Sequence, residues 1–137
     1  MKTAFGGVVF NAQGEVLLRE PRNHYGGYVW TFAKGRQEPA ETDEETALRE
    51  VREETGVVAK ILCRLKDGFQ GDTTVTNYFI MSLVEDKGDF DPDETQAVKW
   101  VKQQQARQYI EQTTSSAGRK RDLAVLDAAC ENLRQLR

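Results

Sequence analysis

The segment REVREETG, residues 49–56, sets Glu50, Glu53 and Glu54 within about one helical turn of one another. At 100° per residue, the three carboxylates share about 100° of arc on one helix face. Like charges at i,i+3 and i,i+4 repel, each pair costing on the order of 0.2–0.5 kcal/mol even when exposed. The plain alternative is a solvated helix laced with ion pairs, and Glu45 to Arg49 is a favourable i,i+4 pair of that kind. Yet Glu50 to Glu53 and Glu50 to Glu54 are both repulsive, Arg49 reaches Glu53 only in the poorer orientation, and Arg52 points elsewhere. A hard divalent cation, Mg²⁺ or Mn²⁺, relieves the crowding. Such ions take oxygen ligands and bridge carboxylates to substrate phosphates. There they polarise a phosphoryl oxygen and help a bound water ionise.

A helix must hold these groups in place, and its signals are strong. Thr42 stands three residues before Glu45, a capping-box spacing, and Asp43, Glu44 and Glu45 fill the first turn where the helix dipole favours them. Ala47, Leu48 and Val51 form its apolar side, and Gly56 ends it. Ahead of it, 3–10 and 15–20 read as strands around a turn at 11–14, and 21–27 reads as loop. The β-branched and aromatic stretch YVWTF, 28–32, predicts a short strand with Tyr28, Trp30 and Phe32 on one face. Residues 33–41 form a second loop. Beyond the helix, strands are expected over 57–65, 73–85 and 97–101, with a turn at 66–72 and an acidic loop at 86–94. Residues 102–112 predict a helix and 113–118 a linker. A last helix follows, with Leu123, Leu126, Ala129, Cys130 and Leu133 on its packed face. Strands interspersed with helices imply an α/β layered domain.

Bulk properties exclude several classes. With 137 residues the chain suits one domain, 1–137, and 39 % hydrophobic against 30 % charged residues is an ordinary globular balance. Net charge −3, from 19 Lys+Arg and 22 Asp+Glu, argues against a dedicated nucleic-acid binder. No apolar run is long enough for a membrane span or a signal peptide. Two cysteines without CxxC spacing, Cys63 and Cys130, point to reduced thiols in a cytoplasmic protein. Within DFDPDE, Asp89, Asp91 and Asp93 mimic the start of a calcium loop. Glu94 stands where such a loop needs glycine and Trp100 where it needs its closing glutamate.

From Gly35 the stretch GRQEPAETDEETALREVREETGV resembles the Nudix box: Gly, five residues, Glu, seven residues, Arg-Glu, an apolar residue, one residue, Glu-Glu, one residue, Gly, an apolar residue. Gly35, Glu41, Arg49, Glu50, Val51, Glu53, Glu54, Gly56 and Val57 fill all nine fixed positions. The resemblance implies a mixed β-sheet sandwiched between helices, an α/β/α arrangement with the box as loop-helix-loop. It also implies Mg²⁺- or Mn²⁺-dependent hydrolysis of a nucleoside diphosphate linked to another moiety. Carried over, Glu50, Glu53 and Glu54 hold metal with help from the Gly35 carbonyl, and Glu53 or Glu54 orients or deprotonates the attacking water. Arg49 steadies the carboxylates, Glu41 reaches back across the loop, and Gly56 closes the helix. Glu94, ahead of a short Trp-containing strand, is a further candidate ligand.

WTFAKG, 30–35, resembles the entry to the box in diadenosine and diphosphoinositol polyphosphate hydrolases, with Ala33 in place of the usual proline. Two downstream subgroup marks are missing. A tyrosine found in some dinucleoside polyphosphate hydrolases would fall at Thr74, and a proline common in ADP-ribose hydrolases at Thr73. Lys34, Arg36 and Arg22, with Arg19 nearby, are candidate phosphate contacts. Trp30 and Tyr28 are candidates for base stacking beside a packing role, and His24 reads as a surface residue. The implied substrate is a dinucleoside polyphosphate such as a diadenosine polyphosphate. The alternatives are a house-cleaning (d)NTP pyrophosphatase and a catalytically silent nucleotide-binding regulator. The partner is a nucleotide-type small molecule, and the chain is a monomer or homodimer.

Overall fold

The computed structural model describes residues 1–136. Its centre is a seven-stranded sheet whose main path runs β4-β6-β1-β2-β7. Here β1 is Lys2–Phe10, β2 Val16–Pro21, β3 Ala33–Gly35, β4 Val57–Arg64, β5 Phe69–Gln70, β6 Thr74–Asp86 and β7 Thr95–Val101. β1 and β6 run parallel, with Val8 opposite Ile80, and the other pairings are antiparallel, so the sheet is mixed. Along its other edge β1 is shared: Phe5–Gly7 pair with β3, and Phe10 meets Val16 of β2.

Strand periodicity sorts the core into two layers. Val8, Phe10, Tyr78 and Ile80 face α2 (Gln103–Ile110) and α3 (Ser116–Gln135), where Ile110, Val125, Leu126, Ala129 and Leu133 complete one cluster. Phe5, Val9, Phe79 and Met81 face α1 (Asp43–Thr55), meeting Ala47 and Val51. The architecture is thus an α/β/α sandwich, as expected. Fully burying Val51, at 0 % exposure, contributes roughly 1.5–3 kcal/mol to seating α1 on the sheet.

Three expectations need correction. Residues 28–32 form no strand, and their one bridge pairs Thr31 with Arg19. Their backbone is engaged elsewhere: the Val29 amide donates to Thr113 Oγ1, and the neighbouring Gly27 carbonyl accepts from the Thr114 amide. The strand forms instead at Ala33–Gly35. Tyr28, Trp30 and Phe32 still point to one layer: Phe32 and Trp30 join the α2/α3 cluster, and Tyr28 presses on Gly118 of α3. The linker is also shorter than expected, since Ser115 accepts from the Gly118 amide and caps α3. Finally, the expected turn at 66–72 contains the two-residue β5.

Candidate active site

α1 begins as its sequence requires. Thr42 Oγ1 accepts from the Glu45 amide at 3.1 Å, and Glu45 Oε1 accepts from the Thr42 amide at 2.8 Å. Glu45 is therefore spent on the cap, and the expected Glu45–Arg49 pair is replaced. Arg49 turns to the box loop: Nε and Nη2 donate to the two Glu41 oxygens at 2.6 and 3.0 Å, and Nη2 also reaches the Arg36 carbonyl at 3.1 Å. Its Nη1 donates to Glu50 Oε1 at 2.8 Å and touches Glu53 Oε2 at 3.3 Å. Glu41 in turn accepts from the Glu38 amide and the Thr46 hydroxyl. The Arg49 hydrogen bonds, then the Glu38 amide, hold its carboxyl down at about 2.

The three glutamates are not equivalent. Glu53 is exposed, with its side chain 51 % accessible, whereas Glu50 and Glu54 turn inward at 12 and 9 %. Burial pushes the Glu54 carboxyl up to about 8, offset in part by Arg19 at 3.7 Å and by the Lys34 amide, which donates to Oε1 at 3.0 Å. Burial also raises Glu50, against the pull of Arg49, with Glu53 and Glu94 adding repulsion. Glu94 therefore acts electrostatically on the same carboxylate.

Gly35 makes the close approach possible. A Cβ there would lie 2.1 Å from Glu50 Cδ, so any side chain would displace the carboxylate. At the other end, Gly56 takes φ +76°, and a Cβ would come within 2.7 Å of the Asp89 amide nitrogen. The acidic loop is folded onto that helix end. The Asp91 amide donates to the Glu53 carbonyl at 2.7 Å and the Lys87 amide to the Gly56 carbonyl at 2.9 Å. Arg52 grips Asp89 with both guanidinium nitrogens. Asp89 is thus held by an arginine, and the loop delivers Glu94 to the site.

A cavity of about 660 Å³ opens beside Glu54. Arg19, Arg22 and Lys34 bring positive charge to it, Glu54, Asp93 and Glu94 negative charge, and Tyr25, Tyr28 and Phe32 aromatic surface. Burial, then the Arg121 charge, lowers the pKa of the Lys34 ammonium. Two candidate contacts do not reach this cavity. Trp30 lies edge-on to Tyr109 at 5.9 Å between centroids with the Lys99 ammonium 5.8 Å away, because the 28–30 backbone is drawn toward Thr113. Arg36, its carbonyl held by Arg49, lines a separate open depression with Lys2, Thr3 and Phe5. His24 is exposed, 2.7 Å from Glu20 Oε2.

Among the described residues, no three His, Cys, Asp or Glu side chains are grouped so as to hold a metal ion. The donor set nevertheless fits a hard divalent cation. Its atoms are all oxygens, the nearest counter-charge to buried Glu54 is Arg19 at 3.7 Å, beyond hydrogen-bond distance, and the Gly35 cradle leaves the Glu50 carboxylate against the loop backbone. Arg49 Nη1 lies 2.8 Å from Glu50 Oε1 and 3.3 Å from Glu53 Oε2, which keeps these two carboxylates side by side.

The NUDIX domain model matches residues 1–122. The chain belongs to the Nudix family. This Nudix chain is 37 % identical over 84 residues to the putative mutator protein MutT4 of Mycobacterium tuberculosis, covering 56 % of this chain and 34 % of that protein. It is 45 % identical over 60 residues to the asymmetrical bis(5'-nucleosyl)-tetraphosphatase of Mus musculus, covering 44 and 39 %. Against a putative 8-oxo-dGTP diphosphatase of Bacillus subtilis it is 30 % identical over 98 residues, covering 69 and 62 %. The chain thus spans 34–62 % of the length of these relatives. The fold is shared with a C. elegans Ap4A hydrolase binary complex, at TM-score 0.75 and 21 % identity over 97 % of each chain. It is shared too with a MutT structure from work on Aliivibrio salmonicida and Vibrio cholerae, at TM-score 0.71 and 20 % identity over 95 % of this chain and 99 % of that one.

Sequence reasoning missed Thr95 and the Arg121–Asp122 pair, all buried. Thr31 Oγ1 donates to Asp122 Oδ2 at 2.6 Å, and Arg121 Nε to Oδ1 at 3.1 Å, tying α3 to the segment ahead of Lys34. A signal existed for Asp122: it precedes Leu126, Ala129 and Leu133 on the apolar stripe of α3, where a carboxylate needs a partner.

Proposed function

We propose that this Nudix domain is a divalent-metal-dependent pyrophosphohydrolase that cleaves a nucleoside diphosphate linked to another moiety, with dinucleoside polyphosphates such as diadenosine polyphosphates as substrates. The observation that carries the reading is the meeting of carboxylates and cations in one cavity, with Glu54 and Arg19 buried among them. Glu54 and Glu94 share it with Lys34, Arg19 and Arg22. Glu50, Glu53, Glu54 and Glu94, with the Gly35 carbonyl, would hold Mg²⁺ or Mn²⁺. When bound, the metal supplies neutralising charge for the phosphate oxygens and acidifies a water. Lys34 and the two arginines orient the phosphate chain, and Glu53 or Glu54 takes the proton from the attacking water. Arg49 holds Glu50 and the box loop in register. The identity to the mouse tetraphosphatase supports the dinucleotide preference. No helix among the described residues is long and apolar enough to cross a membrane.

A second reading, a house-cleaning pyrophosphatase of nucleoside triphosphates, is favoured by the identity to the Bacillus subtilis protein. One screen separates them: release of nucleotide, phosphate or pyrophosphate from diadenosine polyphosphates, canonical and oxidised triphosphates, nucleotide sugars and capped RNA. Turnover should require Mg²⁺ or Mn²⁺ and drop by orders of magnitude in Glu53→Gln or Glu54→Gln. Undiminished turnover in both variants, or none on any compound, defeats the proposal.

A further inference from the structure

Tyr25 is 83 % exposed although it lines the 660 Å³ cavity. Its loop is anchored on both sides. The Arg22 amide donates to the Glu94 carbonyl at 2.9 Å, Arg22 Nε to the Pro92 carbonyl at 2.8 Å, and the Asn23 amide to Gln96 Oε1 at 2.9 Å. Past Tyr25, the Gly27 carbonyl accepts from the Thr114 amide at 2.8 Å. Between these anchors Asn23 (φ 56°) and His24 (φ 49°) are both left-handed, a conformation that successive non-glycine residues seldom adopt. Strain retained at a ligand cavity is held there by its surroundings. The result is a ring left in water but fixed to Pro92–Gln96, the stretch that carries Glu94.

The other aromatic side chains nearby are already engaged. Phe32 is 1 % exposed in the core, Tyr28 has the Arg121 guanidinium 5.3 Å from its ring centroid, and Trp30 packs on Tyr109. Tyr25 alone among the aromatic cavity residues keeps its ring largely in water.

We infer that Tyr25 is the platform on which the planar base of a nucleotide stacks, with the phosphate chain running from it toward Lys34 and Glu54. The inference rests on the nucleotide reading of the same cavity and sharpens it. An aromatic face stacks on the planar π-surface of any base and finds no such surface in a phosphate chain or an inositol ring. Tyr25 therefore selects nucleotides over diphosphoinositol polyphosphates and is tolerant of base identity.

Calorimetry of two non-hydrolysable probes with Mg²⁺ tests this: α,β-methylene-ADP, and methylenediphosphonate, which has the same bridge without a nucleoside. Tyr25→Ala should weaken the nucleotide analogue about tenfold and leave methylenediphosphonate unchanged. Tyr25→Phe, which keeps the ring, should bind both as the wild type does. Because the ring is exposed, all three proteins should melt alike. Equal weakening of both probes in Tyr25→Ala overturns the inference, as does an unchanged nucleotide affinity or the absence of nucleotide binding in the wild type. The comparison needs no turnover, so a failure to hydrolyse any nucleotide defeats the hydrolase proposal and leaves this measurement standing.

Discussion

The Thr95 hydroxyl donates to the Glu54 backbone carbonyl at 2.7 Å and accepts from Arg19 Nε at 2.8 Å. One buried oxygen thereby joins the end of α1 to β2 and β7. Arg19 extends the link, its Nη2 donating to the Glu94 carbonyl at 2.7 Å and its main chain pairing with Thr31. The spacing between Glu54 and Glu94, one from each side of the cavity, is set by this bridge.

Thr95→Val keeps the shape and removes the bridge. It leaves the Glu54 carbonyl and the Arg19 Nε short of a buried partner, at a cost of about 1–3 kcal/mol. Urea unfolding should show that loss, and Mg²⁺-dependent turnover should drop about tenfold, the scale of a misplaced reacting group. Thr95→Ser keeps the hydroxyl and should retain most of both. Equal turnover in the valine and serine variants would show that the bridge does not position Glu54.

Arg49 and Glu41 should behave as one unit. The guanidinium fork meets both Glu41 oxygens and spans to Glu50 and the Arg36 carbonyl, a geometry that a lysine ammonium cannot reproduce. Arg49→Lys should therefore lower turnover tenfold or more, by order of magnitude, and Glu41→Gln should do so less severely. The double variant should be little worse than Arg49→Lys alone, because the second change removes a contact already broken. Additive losses in a double-mutant cycle would count against the coupling.

Metal-free stability should depend on pH through Glu54. Its carboxyl is pushed up to about 8 by burial, against an ordinary value of 4.5. Between those values the folded protein holds a proton that the unfolded chain releases, so stability falls as pH rises through the window. Asp122, raised by its own burial, adds to the same trend. The whole effect is on the order of a few kcal/mol. In EDTA, Tm should decline from about pH 5 to about pH 8, less so in Glu54→Gln, and Mg²⁺ should restore it at the alkaline end by favouring the carboxylate. A Tm flat with pH in EDTA would contradict the buried, under-neutralised state of Glu54.

What could be read from the sequence follows how local each cause is. The helix bearing the glutamates was legible because its cap, its apolar side and Gly56 lie within one stretch. The layered arrangement was legible from strands interspersed with helices and from the resemblance of the box, whereas the sorting of β1 and β6 side chains between two core clusters was not read. Residues 28–32 were misread because composition favours a strand there, while Thr113 and Arg19, distant in sequence, take the backbone bonds. The inequality of Glu53 and Glu54 was also hidden: helix geometry gives a shared face, but which carboxylate turns inward depends on Arg19 and on Lys34. Thr95 and Tyr25 carried no local signal at all, since their roles arise from contacts across the sheet and from the loop on which each sits.

Two left-handed glycines, one at the end of α1 and one within the acidic loop, separate conformation from crowding. Gly56 (φ 76°) and Gly88 (φ 69°) both adopt backbone angles that an alanine resists, by roughly 1–2 kcal/mol. At Gly88 nothing lies within 4 Å of an added Cβ, so Gly88→Ala should cost that amount and no more. At Gly56 the Cβ would also press into the backbone of Gly88, Asp89 and Phe90, which cannot step aside as a flexible side chain would. Relief requires lifting the loop, and the loop is tied to the Glu53 and Gly56 carbonyls and leads into Glu94. Gly56→Ala should therefore destabilise more than Gly88→Ala in urea unfolding and raise the Mg²⁺ concentration needed for half-maximal turnover, whereas Gly88→Ala should leave that concentration unchanged. If both variants lost stability alike with no change in Mg²⁺ demand, the packing of the acidic loop on the helix end would have no part in placing Glu94.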